Sequence, residues 1–197
     1  MTYIPALDLD ALVAIDVHTH VEADGNHHCS LDQELLDASA KYFKPGVNRT
    51  PTVGDLASYY RERNMAAVIF TVDARTALGH PREAIAAEAA EAVARIGVLA
   101  RDYGVRGMKS HPSLQDFEPN DRKYYPICDA CAEHGLVALF DTDQTGIGAG
   151  LPGGRGIKLR YSDPMLLDDI AADFPYLTLV FAHPSVPWVD SSLSIAT

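Results

Sequence analysis

Five short apolar runs, each followed by residues able to bind a metal or move a proton, constrain this chain more than any other feature of its sequence. The runs occupy residues 13–17, 65–72, 105–109, 136–140 and 177–182. At or just beyond their ends stand His18 and His20, Asp73, Lys109 and His111, Asp141 and Asp143, and His183. Helical patterns fill the intervals. Ser30 can cap a helix over 30–41, and Thr52 one over 52–64 with Asp55 completing a capping box. Pro81 suits the first turn of a long alanine-rich helix over 83–103, which Gly97 interrupts as a kink or a join. A helix over 121–134 follows, and Ser162-Asp163-Pro164 opens another that reaches residue 174, with Pro164 at its first position and a short acidic tail after the last strand. Strands alternating with helices through right-handed crossovers make a parallel α/β sheet, and the run over 65–72 suits a strand covered on both faces. Folds of this class, open or closed, place their active sites beyond the C-terminal ends of the strands.

The first of these clusters, His18-Thr19-His20, has a spacing that matters. Side chains alternate along a strand, so two histidines two residues apart point the same way. Such a pair suits a divalent metal, zinc above all, and equally suits two half-exposed histidines at a strand end. Local spacing leaves both readings open. His27-His28-Cys29 offers three donor types in a row, but adjacent residues rarely share one ion, and an exposed loop is expected there.

Composition narrows the partners. A formal net charge of -11 and a pI near 5.0 argue against a nucleic-acid or anionic-membrane surface. No stretch reaches the ~18 apolar residues of a membrane span, and Met1-Thr2-Tyr3-Ile4-Pro5 does not read as a signal peptide. Three cysteines, an odd count, argue against a disulfide framework and for a reducing cytoplasm. Cys128 and Cys131 form a C-x-x-C, but within a helical pattern they are neighbours at i and i+3, which predicts packing rather than zinc or redox chemistry. The glycine-rich stretch over 146–156 lacks the Lys-Ser/Thr of a phosphate-binding loop.

Longer blocks of sequence resemble the amidohydrolase superfamily, in its amidohydrolase-related branch of aminocarboxymuconate-semialdehyde decarboxylase-like and lactone hydrolase-like members. They are Ile15-Asp16-Val17-His18-Thr19-His20; the stretch 104–112 (GVRGMKSHP) with Gln115 and Phe117; 146–154 (GIGAGLPGG); 161–170 (YSDPMLLDDI); and 181–184 (FAHP) with Trp188. The resemblance implies a (β/α)8-type domain over 1–197 that acts on a small carboxylated, lactone or amide substrate through a metal-activated water. A carboxy-lyase of the same family is the alternative it implies, and a catalytically inactive remnant a further one. It makes His18, His20 and Asp141 ligands of a divalent metal, Zn2+ first and Mn2+ second. His183 and His111 become catalytic groups, and Lys109, Arg155 and Arg160 hold an anionic substrate.

This chain departs from the family pattern in three places. Family members carry a histidine in a pattern like F-H-T-G where this chain has Phe140-Asp141-Thr142-Asp143. Only one long helix joins the runs at 65–72 and 105–109, where the family has a further strand. Beyond Trp188 the family continues through two more strands and a metal-binding or basic aspartate. A closed barrel typically takes ~250 residues, so the expectation is a partial barrel of about five strands, not closed and an incomplete domain. Its raw edges would favour a homo-oligomer.

Overall fold

A computed structural model describes residues 8–21, 23–44, 46, 48–71 and 82–196. In chain order the elements are β1 (Ala14–Val21), α1 (Gln33–Phe43), α2 (Val53–Arg61), β2 (Met65–Thr71) and α3 (Arg82–Tyr103). There follow β3 (Gly107–Ser110), α4 (Pro112–Gln115), α5 (Tyr125–Glu133), β4 (Val137–Phe140), α6 (Leu166–Asp173), β5 (Leu179–Phe181) and α7 (Val189–Ile195). Among the described residues the strand ladders are parallel, β1 with β2 and β3–β4–β5 with β4 central, while an isolated antiparallel bridge joins Ala23 and Cys29. Among the described residues the expected class is found, parallel α/β with five strands that do not close a barrel. The elements fall into two compact units: an N-terminal unit of β1, α1, α2, β2 and the loop Gly146–Gly154, and a C-terminal unit of β3–β5 and α3–α7.

The C-terminal unit is organised around β4, whose Ala138, Leu139 and Phe140 are all buried. Ile96 of α3, Cys128 and Cys131 of α5, and Leu167 and Ile170 of α6 join Ala138 and Phe140 in one core. Burial pushes the two thiols up, Cys128 to about 12 with help from the charges of Cys131 and Asp129, and Cys131 to about 11. Both are therefore protonated packing groups, as the helical spacing suggests. Helix α3 runs unbroken through Gly97. A Cβ there would come within 2.7 Å of Arg101 Nη1 and 3.0 Å of His134 Nε2, so these two side chains lie close over the glycine.

In the N-terminal unit, α1 buries Leu35 and Ala38, while Val13, Ile15 and Val17 lie 77%, 51% and 64% exposed. Val68 of β2 is also exposed, so that strand is not covered on both faces; the apolar flank of a partial barrel is open here. The loop Gly146–Gly154 belongs to this unit because Gly146 sits against Tyr42 and Phe43, where any Cβ would collide with both rings.

Several boundaries differ from the sequence reading, each for a local reason. The cap of α1 is Asp32, not Ser30, because its carboxylate accepts the Leu35 N–H at 2.9 Å and also meets the positive end of the helix dipole. Thr52 and Asp55 do form the expected capping box, but α2 stops at Arg61, and Asn64 turns the chain with φ 51°. Over 121–134 a 3-10 turn, Arg122–Tyr124, precedes α5; Pro126 falls in the first turn of the α-helix, where a missing N–H is harmless. Helix α6 begins at Leu166 rather than Pro164, since Asp163 Oδ1 takes the Met165 N–H at 2.9 Å and delays the first α-turn. The stretch read as an acidic tail contains α7. Val72, Asp73 and Pro81 lie outside the described residues.

Candidate functional site

In the C-terminal unit the register of three strands assembles a polar cluster. Ser110 pairs with Phe140, and Phe140 with Phe181. The next residues continue the ladder, Asp141 N–H bonding Ser110 C=O and Ala182 N–H bonding Phe140 C=O, both at 2.9 Å. His111, Asp141 and His183 therefore emerge side by side beyond three adjacent strand ends. The Asp141 Oδ2 atom lies 3.3 Å from Nε2 of His111 and 3.3 Å from Nε2 of His183. Its partner oxygen, Oδ1, is buried and has no hydrogen bond among the described residues.

Electrostatics in this cluster follow from burial and pairing. Burial alone raises the pKa of Asp141, but the hydrogen bond from His183 and the charges of His111, His183 and Lys109 outweigh it and hold the carboxyl below its ordinary value. His183 is raised, chiefly by the hydrogen bond to Asp141, against a smaller effect of burial. Burial depresses Lys109 to about 8, and the attraction of Asp141 opposes this only in part. Near neutral pH this lysine can both carry charge and release a proton.

Supporting bonds orient the cluster. Gln115 Oε1 accepts the His111 N–H at 2.8 Å, and Ser113 Oγ lies 3.2 Å from His111 Nδ1; both belong to α4, a helix the sequence reading did not foresee. Thr142 and Ser185, both buried, share a hydrogen bond of 2.7 Å that ties the residues after Asp141 to those after His183.

The N-terminal unit carries the histidine pair. Strand β1 extends beyond the expected 13–17 and contains both histidines. Their Nε2 atoms are 3.0 Å apart, so the two side chains do share one direction, and Phe70 of β2 packs edge-on to His18. The register slips by one residue between Asp16 and Thr19, a bulge immediately beside the pair.

Arg155 is half-buried in a 3-10 segment, Pro152–Gly156. Arg160 is exposed, donating to the Tyr161 hydroxyl at 2.8 Å with its guanidinium over that ring. The loop with His27, His28 and Cys29 is exposed as expected.

The donor chemistry fits a divalent metal. Two imidazole nitrogens 3.0 Å apart are within the span of two ligands bonded to one ion at ~2.0–2.1 Å. A buried carboxylate anchored through one oxygen, with the other unpaired among the described residues, has an oxygen chemically suited to bind a cation.

The sequence model of the amidohydrolase family matches residues 15–196, and the chain belongs to that family. A TIM-barrel protein from Bordetella bronchiseptica, itself uncharacterised, has a similar structure with a TM-score of 0.63 at 18% identity. The match covers 92% of this chain and 70% of that one, and speaks for the fold alone. No curated protein matches the sequence.

Proposed function

We propose that the chain is a metal-dependent hydrolase of the amidohydrolase-related branch, acting on a small carboxylated, lactone or amide substrate. His18, His20 and Asp141 would hold a divalent ion, Zn2+ before Mn2+. When bound, such an ion lowers the pKa of a ligated water towards ~7 and polarises a carbonyl. Asp141 carries this reading. It stands where the family has a histidine, and its Oδ2 faces two imidazoles while its buried Oδ1 has no hydrogen bond among the described residues.

Each neighbouring residue then has a task. His183, poised by Asp141 to hold a proton, is the acid–base group. Its neighbour His111 is fixed by Ser113 and Gln115 and shares Asp141, so it completes the proton-carrying set. Lys109 pairs with a substrate carboxylate, with Arg155 and Arg160 as outer cations. In the carboxy-lyase alternative a carbon is protonated as CO2 leaves, and the same residues would bind the substrate carboxylate and carry the proton.

Zn2+ titration of the purified wild-type chain and of Asp141→Ala tests the site, and assays on a panel of lactones, amides and carboxylated substrates test the reaction. Binding of one equivalent that falls at least tenfold in the variant supports the reading. Release of CO2 without ring or amide opening selects the carboxy-lyase. A wild type that binds metal but turns over no substrate is the inactive remnant, and one that binds no metal refutes the proposal.

A further inference from the structure

We infer that Tyr60 is a positioning residue for the His18/His20 pair, clamping the bulged end of β1 through Asp16 and Thr19; this rests on the reading of that pair as metal ligands.

A strand loses its ladder at a bulge, and a slip of one residue turns every side chain to the opposite face. The bulge in β1 falls between Asp16 and Thr19, so the chain bearing His18 is held there by something other than regular pairing. Three hydrogen bonds converge on that gap. Asp16 Oδ1 accepts the backbone N–H of His18 at 3.0 Å. Asp16 Oδ2 accepts the hydroxyl proton of Tyr60 at 2.6 Å. With its proton committed, the Tyr60 oxygen is left to accept from Thr19 Oγ1 at 2.9 Å.

The bonds straddle His18 on both sides and leave no freedom to re-register. Tyr60 and Thr19 are each only 9% exposed, so water competes poorly for the bonds. Tyr60 reaches the strand from α2, a helix whose start is fixed by the Thr52–Asp55 capping box. The carboxylate of Asp16 uses both oxygens in this clamp. It is therefore a support for the histidines, and the hydroxyl of Tyr60 is what fixes its direction. Interactions of this kind around metal-bound histidines typically change metal affinity by about 10–100-fold.

The test uses the purified chain with Zn2+ titrated calorimetrically and Co2+ read by its visible absorption. Tyr60→Phe should bind Zn2+ about 10–100-fold more weakly, with a shifted Co2+ spectrum and unchanged helix content. Tyr59→Phe, in the exposed neighbour, should match wild type. A purely structural tyrosine would lower the melting temperature while leaving the Co2+ spectrum of the folded protein unmoved, and that outcome overturns the inference. So does a Tyr60→Phe affinity equal to wild type when the His18→Ala/His20→Ala double variant has lost binding. If Tyr60→Phe does not fold, Thr19→Val removes one bond at nearly constant shape; a weaker Zn2+ affinity supports the clamp and an unchanged one overturns it. A wild type that binds neither ion removes the metal reading first, and this inference with it.

Discussion

In the C-terminal unit β4 has a strand on each side, and Ala138 and Phe140 are buried together with side chains from α3, α5 and α6. In the N-terminal unit β1 pairs with β2 alone among the described residues, and Val13, Ile15 and Val17 face solvent. Apolar burial holds the first arrangement, whereas directed hydrogen bonds hold the histidine-bearing part of β1 in the second, where Asp16, Thr19 and Tyr60 meet. The same family of strand–helix units thus presents its polar residues by two physical means. Packing is non-directional and tolerates changes that conserve volume. A hydrogen-bonded clamp is directional and fails when one partner is lost.

Four substitutions would break or sharpen that contrast. The largest effect belongs to Phe140→Ala, which empties the middle of the C-terminal core and should cost about 3–5 kcal/mol. Urea unfolding followed by the fluorescence of Trp188, the single tryptophan, would report it; a loss under 1 kcal/mol would mean that this core is not what holds the unit. Next, Thr142→Val removes the shorter of two hydrogen bonds of the buried Ser185 hydroxyl, leaving its bond to the His183 carbonyl, and should cost about 0.5–1.5 kcal/mol in the same assay.

The third prediction concerns pH. The Tyr60 hydroxyl first, and the His18 N–H second, hold Asp16 below its ordinary carboxylate value. A group whose folded pKa is lowered contributes stability that is present above its unfolded value, ~3.9, and disappears as the pH falls through the folded value. Amide exchange in β1 should therefore accelerate, relative to Asp16→Asn, as the pH is taken from neutral to below 4. Equal pH profiles in the two proteins would remove the carboxylate from the account. The smallest effect is expected of Ile15→Thr, where an exposed side chain on the open face should shift stability by no more than about 0.5 kcal/mol. A larger loss would reveal that this face is covered in solution.

Much of this architecture was legible because it is local. Apolar runs and helical periodicity placed all five strands and most of the helices, and Thr52 with Asp55 signalled a capping box that is present. The misreadings are of the same local kind, decided by competition between neighbouring groups. Asp32 outbids Ser30 for the end of α1, and Asp163 delays α6 past Pro164. At the site, alternation along one strand foretold that His18 and His20 share a direction, and succession at strand ends foretold that Lys109, His111, Asp141 and His183 belong together. Tyr60 gave no signal. It lies 44 residues from Asp16, and nothing in its own surroundings distinguishes it from Tyr59.

The order of strands and helices, the parallel class and the donor residues at the strand ends are properties of the sequence alone, because periods of two and 3.6 residues are written in neighbouring positions. The register that sets His111 and His183 against one carboxylate oxygen of Asp141 is not. Nor are the depression of Lys109, the bulge beside His18 or the clamp that spans it. Each depends on which distant groups share a buried volume, and only the packed chain decides that.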